Sequence, residues 1–145
     1  MLNGARIVAA ALTAVVLGSL ASCGGQSPYC AAVDENQSDL DTFLADKSDA
    51  GITTYATAVT SISKVAPAPI DEQWTSLARA TQGVLTAHDD VGFALEDMKN
   101  EKARTALSEA DTEVLNKAYK RFNGTTPQRK AVVADVKKAC DIQLK

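Results

Sequence analysis

Two of the three cysteines lie near opposite ends of the chain, at Cys30 and Cys140. In an oxidising compartment we expect them to form a disulfide, and two buried free thiols are the alternative. The bond would require the two Cα atoms to lie within about 7 Å of each other. It would therefore restrict the chain to folds in which the first and last elements meet. The third cysteine, Cys23, must then be explained separately, because an odd count leaves one thiol over.

The first 22 residues have the pattern of a secretory signal. Arg6 is the only charge in the head, and an apolar stretch, interrupted by Thr13, follows from Ile7 to Leu17. A transmembrane helix needs about 20 apolar residues, and this stretch is shorter. A charged head, a short apolar run and a small-residue cleavage site predict an export signal that is removed.

The residues Leu20-Ala21-Ser22-Cys23 resemble the lipobox of a bacterial lipoprotein. The resemblance implies that residues 1–22 are removed and that a diacylglyceryl group is attached to the Cys23 sulfur. Two acyl chains hold a protein to a membrane better than one. Cleavage by the ordinary signal peptidase, which would leave Cys23 free, is the alternative. With Cys23 lipidated, Cys30 and Cys140 remain as the pair.

Residues 23–145 are enough for one domain with a hydrophobic core. The spacing of apolar residues is helical throughout, and no strand-like alternation stands out. Five helices are predicted: 28–45, 53–66, one that begins at 71, a short one over 108–123, and one from 126 to about 140. Whether the third helix continues to Met98 is left open. The predicted inner positions of the third helix are Ile70, Trp74, Leu77, Thr81, Val84 and His88. Those of the short helix are Val114, Leu115, Ala118, Tyr119 and Phe122. Those of the last helix are Val132, Val133, Val136, Ala139 and Cys140. Trp74, Phe43, Tyr55 and Phe122 are predicted core anchors.

The disulfide selects a topology for these helices. An up-and-down bundle of four helices brings the beginning of the first helix to the end of the last. We therefore expect an all-α bundle of four main helices, with the short extra helix in the crossover before the last one. The predicted organisation is a signal over residues 1–22, a lipidated tether over 23–28 and the bundle over 29–145.

The tether orients the bundle relative to the membrane. Only the six residues Gly24–Tyr29 separate the lipidated position from Cys30, and six residues reach at most about 20 Å. The disulfide end is therefore expected near the membrane. The 46–52 turn and the 89–107 connection are expected to point outward, where a partner or ligand would be met.

Charge is distributed unevenly along the chain. Residues 23–98 hold 12 acidic and 3 basic side chains, whereas residues 99–145 hold 6 acidic and 11 basic ones. The balance is acidic overall, which disfavours nucleic-acid binding. We expect the two halves to pack together and neutralise each other; a basic face against anionic lipid is the alternative.

The sequence predicts neither a catalytic site nor a metal site. His88 is the only histidine, and there is no G-x-S-x-G motif and no Cys/His zinc spacing. Asp89 and Asp90 follow His88 directly, and residues one and two apart do not share a helix face. His88 is therefore expected to be a core-edge or surface residue, and the protein is expected not to be an enzyme.

The chain resembles the small helical lipoproteins and secreted proteins of actinobacteria. The lipobox, the terminal cysteine pair and the Pro69-Ile70 entry to a helix that carries Trp74 support this resemblance. It implies a helical fold and supplies no active site.

The leading hypothesis for function is a non-enzymatic binding module of the cell envelope, lipid-anchored on the extracytoplasmic face of the membrane, with an unknown envelope protein or ligand as partner. A phage-encoded lipoprotein that blocks superinfection is one alternative. The other is a carrier of a small apolar ligand or haem, in which His88, Tyr55 or Tyr119 could be an axial ligand.

Overall fold

The computed structural model describes residues 26–42 and 46–145, and within these it is all-α. The helices are α1 (Pro28–Thr42), α2 (Asp49–Ser63), α3 (Asp71–Val91), α4 (Glu101–Thr105), α5 (Glu109–Asn123) and α6 (Thr126–Cys140), with a 3-10 helix at Leu95–Lys99. The predicted all-α bundle is confirmed. The predictions for the signal segment, for Leu20, Ala21, Ser22 and Cys23, and for Phe43 fall outside the described residues.

Helix α3 packs against three other helices. Its 21 residues pack against α2, α5 and α6, while α1 packs against α2 and α6. The inward positions predicted for it from the three- and four-residue spacing are all buried; they are Ile70, Trp74, Leu77, Thr81, Val84 and His88. A buried and mainly apolar stripe on one helix therefore provides the surface on which its neighbours pack.

The disulfide between Cys30 and Cys140 is present, as predicted. The two Cα atoms are 5.3 Å apart, and the bond joins the first turn of α1 to the last residue of α6. The Ser27 hydroxyl caps α1 by accepting a hydrogen bond from the Cys30 amide at 3.1 Å. The beginning and end of the bundle therefore lie at one pole, called here the disulfide end.

Helix α2 begins at Asp49, four residues before the predicted Thr53. The predicted turn over residues 46–52 was therefore wrong from Asp49 onward. The Ser48 hydroxyl accepts a hydrogen bond from the Gly51 amide at 3.0 Å and caps the helix. A Cβ at Gly51 would lie 2.4 Å from the Asp46 carbonyl oxygen. Glycine is therefore required at position 51 because the Asp46 backbone passes too close to leave room for a side chain. In the sequence alone, a glycine at this place indicates a turn.

Helix α3 ends at Val91, and the extension to Met98 is interrupted. Gly92 has a φ of 65°, the left-handed conformation that ends helices and that glycine adopts without steric cost. The chain then forms the 3-10 helix at Leu95–Lys99 and the single turn of α4. Helix α5 is capped by Ser108, whose hydroxyl accepts a hydrogen bond from the Asp111 amide at 3.1 Å.

Helix α5, the extra helix of the crossover, has 15 residues, as many as α1, α2 and α6. Its inner face is narrower than predicted, because Val114 is 41% exposed. The prediction of a buried Ala139 on α6 was also wrong, since this residue is exposed. No helix in the described part of the chain is long and apolar enough to cross a membrane.

We predict that the disulfide is a major contributor to the free energy of unfolding. Replacing both cysteines in Cys30→Ala/Cys140→Ala should lower it by about 4 kcal/mol, because the bond closes a loop of about a hundred residues in the unfolded chain. Urea unfolding followed by circular dichroism measures the change. The Cys23→Ala variant is the matched control and should unfold at the same midpoint as the parent. An unchanged midpoint in the double variant would contradict the prediction.

Candidate functional site

A buried hydrogen-bond chain lies beside the disulfide. The Tyr29 hydroxyl accepts a hydrogen bond from Trp74 Nε1 at 3.0 Å and donates to Asp135 Oδ2 at 3.0 Å. The Tyr29 and Trp74 rings meet edge to face with centroids 6.4 Å apart. Burial raises the pKa of Tyr29 above its ordinary value, and the neighbouring Asp135 carboxylate adds to this rise. This neutral phenol ties α1, α3 and α6 together, so the disulfide end is built as a structural anchor.

His88 uses both ring nitrogens within the protein. Nδ1 lies 2.5 Å from the Phe93 carbonyl oxygen, and Nε2 lies 2.7 Å from the Tyr119 hydroxyl. A carbonyl oxygen only accepts, so Nδ1 carries the proton and donates to it. In the neutral ring, Nε2 then accepts from Tyr119. The left-handed turn at Gly92 brings the Phe93 carbonyl back over the end of α3. His88 therefore fixes the exit of α3 against α5.

Of the three residues considered as ligands, the structure brings two together. His88 and Tyr119 are hydrogen bonded, with ring centroids 5.7 Å apart. Tyr55 lies instead at a small cavity of about 90 Å³, which Trp74 and Leu77 also line. Ligation of a haem iron by His88 would require breaking one of its two hydrogen bonds.

Tyr119 also links the His88 cluster to the start of α2. Burial raises the pKa of Tyr119 to about 12, and the negative charge of Asp49 contributes to the shift. Asp49 Oδ1 accepts a hydrogen bond from the Leu95 amide at 2.8 Å. The carboxylate therefore holds the 3-10 helix against α2, at the end of the bundle opposite the disulfide.

An apolar groove opens beside this link, and we call it the end groove. Within the residues that the structure describes, it has a volume of about 350 Å³ and is lined by Lys47, Ile52, Leu95, Met98, Lys99, Tyr119, Phe122, Asn123 and Arg129. These residues come from the α1–α2 connection, the start of α2, the 3-10 helix, the end of α5 and the first turn of α6. The segments that sequence analysis predicted to point outward thus supply much of its lining.

Arg129 is one of the three basic residues that line the end groove. Its guanidinium carbon lies 5.1 Å from the centroid of the Phe122 ring, within the range of a cation–π contact. Its Nη2 donates to the Thr126 hydroxyl at 3.0 Å. Sequence analysis missed Arg129, because a single arginine in the first turn of a helix is indistinguishable from an ordinary surface residue.

Among residues 26–42 and 46–145, no group of three or more His, Cys, Asp or Glu side chains is arranged to hold a metal ion. Comparison of the chain with protein-family models, with curated proteins and with solved structures found no match. The resemblance to small actinobacterial lipoproteins therefore stays a prediction.

We predict that the neutral Tyr119 phenol stabilises the fold up to high pH. The folded chain holds this proton with a pKa of about 12, against 10 for the ordinary phenol. The unfolded chain therefore releases it first, so the contribution is complete below pH 10 and is lost as the pH rises through 12. Between about pH 9 and about pH 11, the free energy of unfolding should fall less in Tyr119→Phe than in the parent chain. Urea unfolding of both chains at the two pH values measures the difference.

At neutral pH the same variant should lose about 1–3 kcal/mol, because His88 Nε2 is left without its donor. The variant Tyr29→Phe removes another buried phenol of raised pKa, so it should reduce the alkaline loss by the share of Tyr29 and keep the share that belongs to Tyr119. Equal losses in the parent chain and Tyr119→Phe between the two pH values would contradict the prediction.

Proposed function

We propose that this chain is a lipoprotein anchored on the extracytoplasmic face of the membrane, and that its bundle is a non-enzymatic binding module of the cell envelope. The observation that carries the proposal is the Cys30–Cys140 disulfide. A structural disulfide is typical of proteins that fold outside the cytosol. It also uses two of the three cysteines, which leaves Cys23 of the lipobox-like motif for lipid.

The position of the disulfide supports an orientation. Cys23 precedes Cys30 by only seven residues, so a lipid at Cys23 would hold the disulfide end close to the bilayer. Helix α1 has 15 residues and spans about 22 Å at 1.5 Å per residue. The end groove lies at the far end of α1, beside the α1–α2 connection. It would therefore face away from the membrane, where a partner or ligand is accessible.

The end groove also favours the second candidate function, a carrier of a small apolar ligand. Ile52 and Phe122 are buried residues that line the groove, and they give it an apolar floor. For haem as the ligand, Tyr119 is the candidate residue that borders the groove, whereas both nitrogens of His88 are engaged within the protein.

The anchor is tested by the intact mass of the protein purified from the membrane fraction of a bacterium that processes lipoproteins. We expect a chain that begins at Cys23 with a diacylglyceryl group and that gains two hydrogens on reduction. The Cys23→Ala variant is the matched control and should be recovered without lipid. An unmodified chain in the soluble fraction would contradict the proposed anchor and its orientation.

A further inference from the structure

The floor of the end groove is apolar and comes from three separate elements, α2, the 3-10 helix and α5. Ile52 of α2 is 3% exposed and Phe122 of α5 is 7% exposed. Leu95 and Met98 of the 3-10 helix are partly buried beside the core, and Tyr119 of α5 also lines the groove. Methionine adapts its shape to an irregular ligand surface. Such a floor suits a flexible hydrocarbon group.

The rim of the end groove is basic. Lys47, Lys99 and Arg129 reach it from the α1–α2 connection, the 3-10 helix and α6, and no acidic side chain lines it in the described part of the chain. The protein carries a net charge of −3, so three basic groups at one opening depart from its general balance. Asp49 lies nearby: its carboxylate accepts a hydrogen bond from the Leu95 amide, and its charge contributes to the raised pKa of Tyr119, so it offsets part of the positive charge of the rim. With three basic side chains in the lining, the opening still favours an anion.

The volume limits the size of the occupant. Small-molecule pockets range from about 300 to 1,000 Å³, and the end groove, at about 350 Å³, lies at the low end. One medium-length hydrocarbon chain suits this volume better than a lipid with two acyl chains. The planar guanidinium of Arg129, held over Phe122, is the group best suited to a carboxylate, which it can bind through two parallel hydrogen bonds.

We propose that the end groove binds a single-chain amphipathic carboxylate, with its tail on Ile52, Leu95 and Met98 and its head at Lys47, Lys99 and Arg129. The inference rests on the proposed binding role of the bundle and is independent of the lipid anchor. It specifies the ligand class as a medium-chain fatty acid, in place of an unspecified apolar molecule.

The experiment is a calorimetric titration of the mature chain, residues 23–145, carrying Cys23→Ala. This chain has neither the apolar signal segment nor a lipid attachment point, so it needs no detergent that would compete for the groove. The probe is decanoate below its micellar concentration, and decanol and acetate are the comparison ligands. We expect decanoate to bind one to one, decanol to bind more weakly and acetate not to bind. Raising the ionic strength should weaken decanoate binding, because the basic rim is exposed to solvent.

Two variants of the same chain test the assignment to the groove. Lys47→Gln/Lys99→Gln removes two rim charges and should weaken decanoate binding about tenfold. Lys64→Gln/Lys138→Gln removes two exposed charges elsewhere and should leave the affinity within about twofold. Circular dichroism checks that both variants remain folded.

Absence of decanoate binding would overturn the inference, and so would equal affinity for decanoate and decanol or equal weakening in the two double variants. None of these results would affect the proposed anchor, which the mass of Cys23 tests separately. Conversely, an unlipidated Cys23 would overturn the anchor and leave the result of the titration standing.

Discussion

The bond between Cys30 and Cys140 is the constraint on which the rest of the structure depends. It joins the first turn of α1 to the end of α6, so the helices between must leave this pole and return to it. The Trp74–Tyr29–Asp135 hydrogen-bond chain, with the Tyr29 hydroxyl in the middle, reinforces the same pole from inside. Because both ends of the bundle are fixed there, the α1–α2 connection and the crossover after α3 are left together at the opposite end.

Polar contacts give that opposite end a defined shape. Gly92 ends α3 in a left-handed turn, and His88 then binds the Phe93 carbonyl and the Tyr119 hydroxyl. Asp49 binds the Leu95 amide and so fixes the 3-10 helix against α2. These contacts join α2, α3, the crossover and α5 around one opening. The end groove thus follows from the way the crossover is held. Its basic rim comes from Lys47, Lys99 and Arg129, the last of which lies over the buried Phe122 ring.

Much of the fold could be predicted from the sequence, because its strongest signals are local or covalent. The spacing of Trp74, Leu77 and Val84 predicted the buried face of α3, and the cysteine pair predicted the topology. The start of α2 could not be read in this way, because Gly51 makes a tertiary contact with the Asp46 backbone. Equally, the contact of His88 with Tyr119 joins residues 31 positions apart, a distance at which no periodic pattern in the sequence signals a pairing.

The central claim is that the disulfide end stands at the membrane and the end groove faces away from it. Fluorescence energy transfer tests this orientation directly. The donor is a fluorescent non-natural residue, placed at position 138 in one sample and at position 96 in another. The acceptors lie on the surface of the vesicles to which the lipidated protein is bound. Position 138 lies beside Cys140, and position 96 lies in the 3-10 helix. The account predicts stronger transfer from position 138, which should lie closer to the bilayer by about 20 Å, the length of one helix. Equal transfer from the two positions, or stronger transfer from position 96, would contradict it.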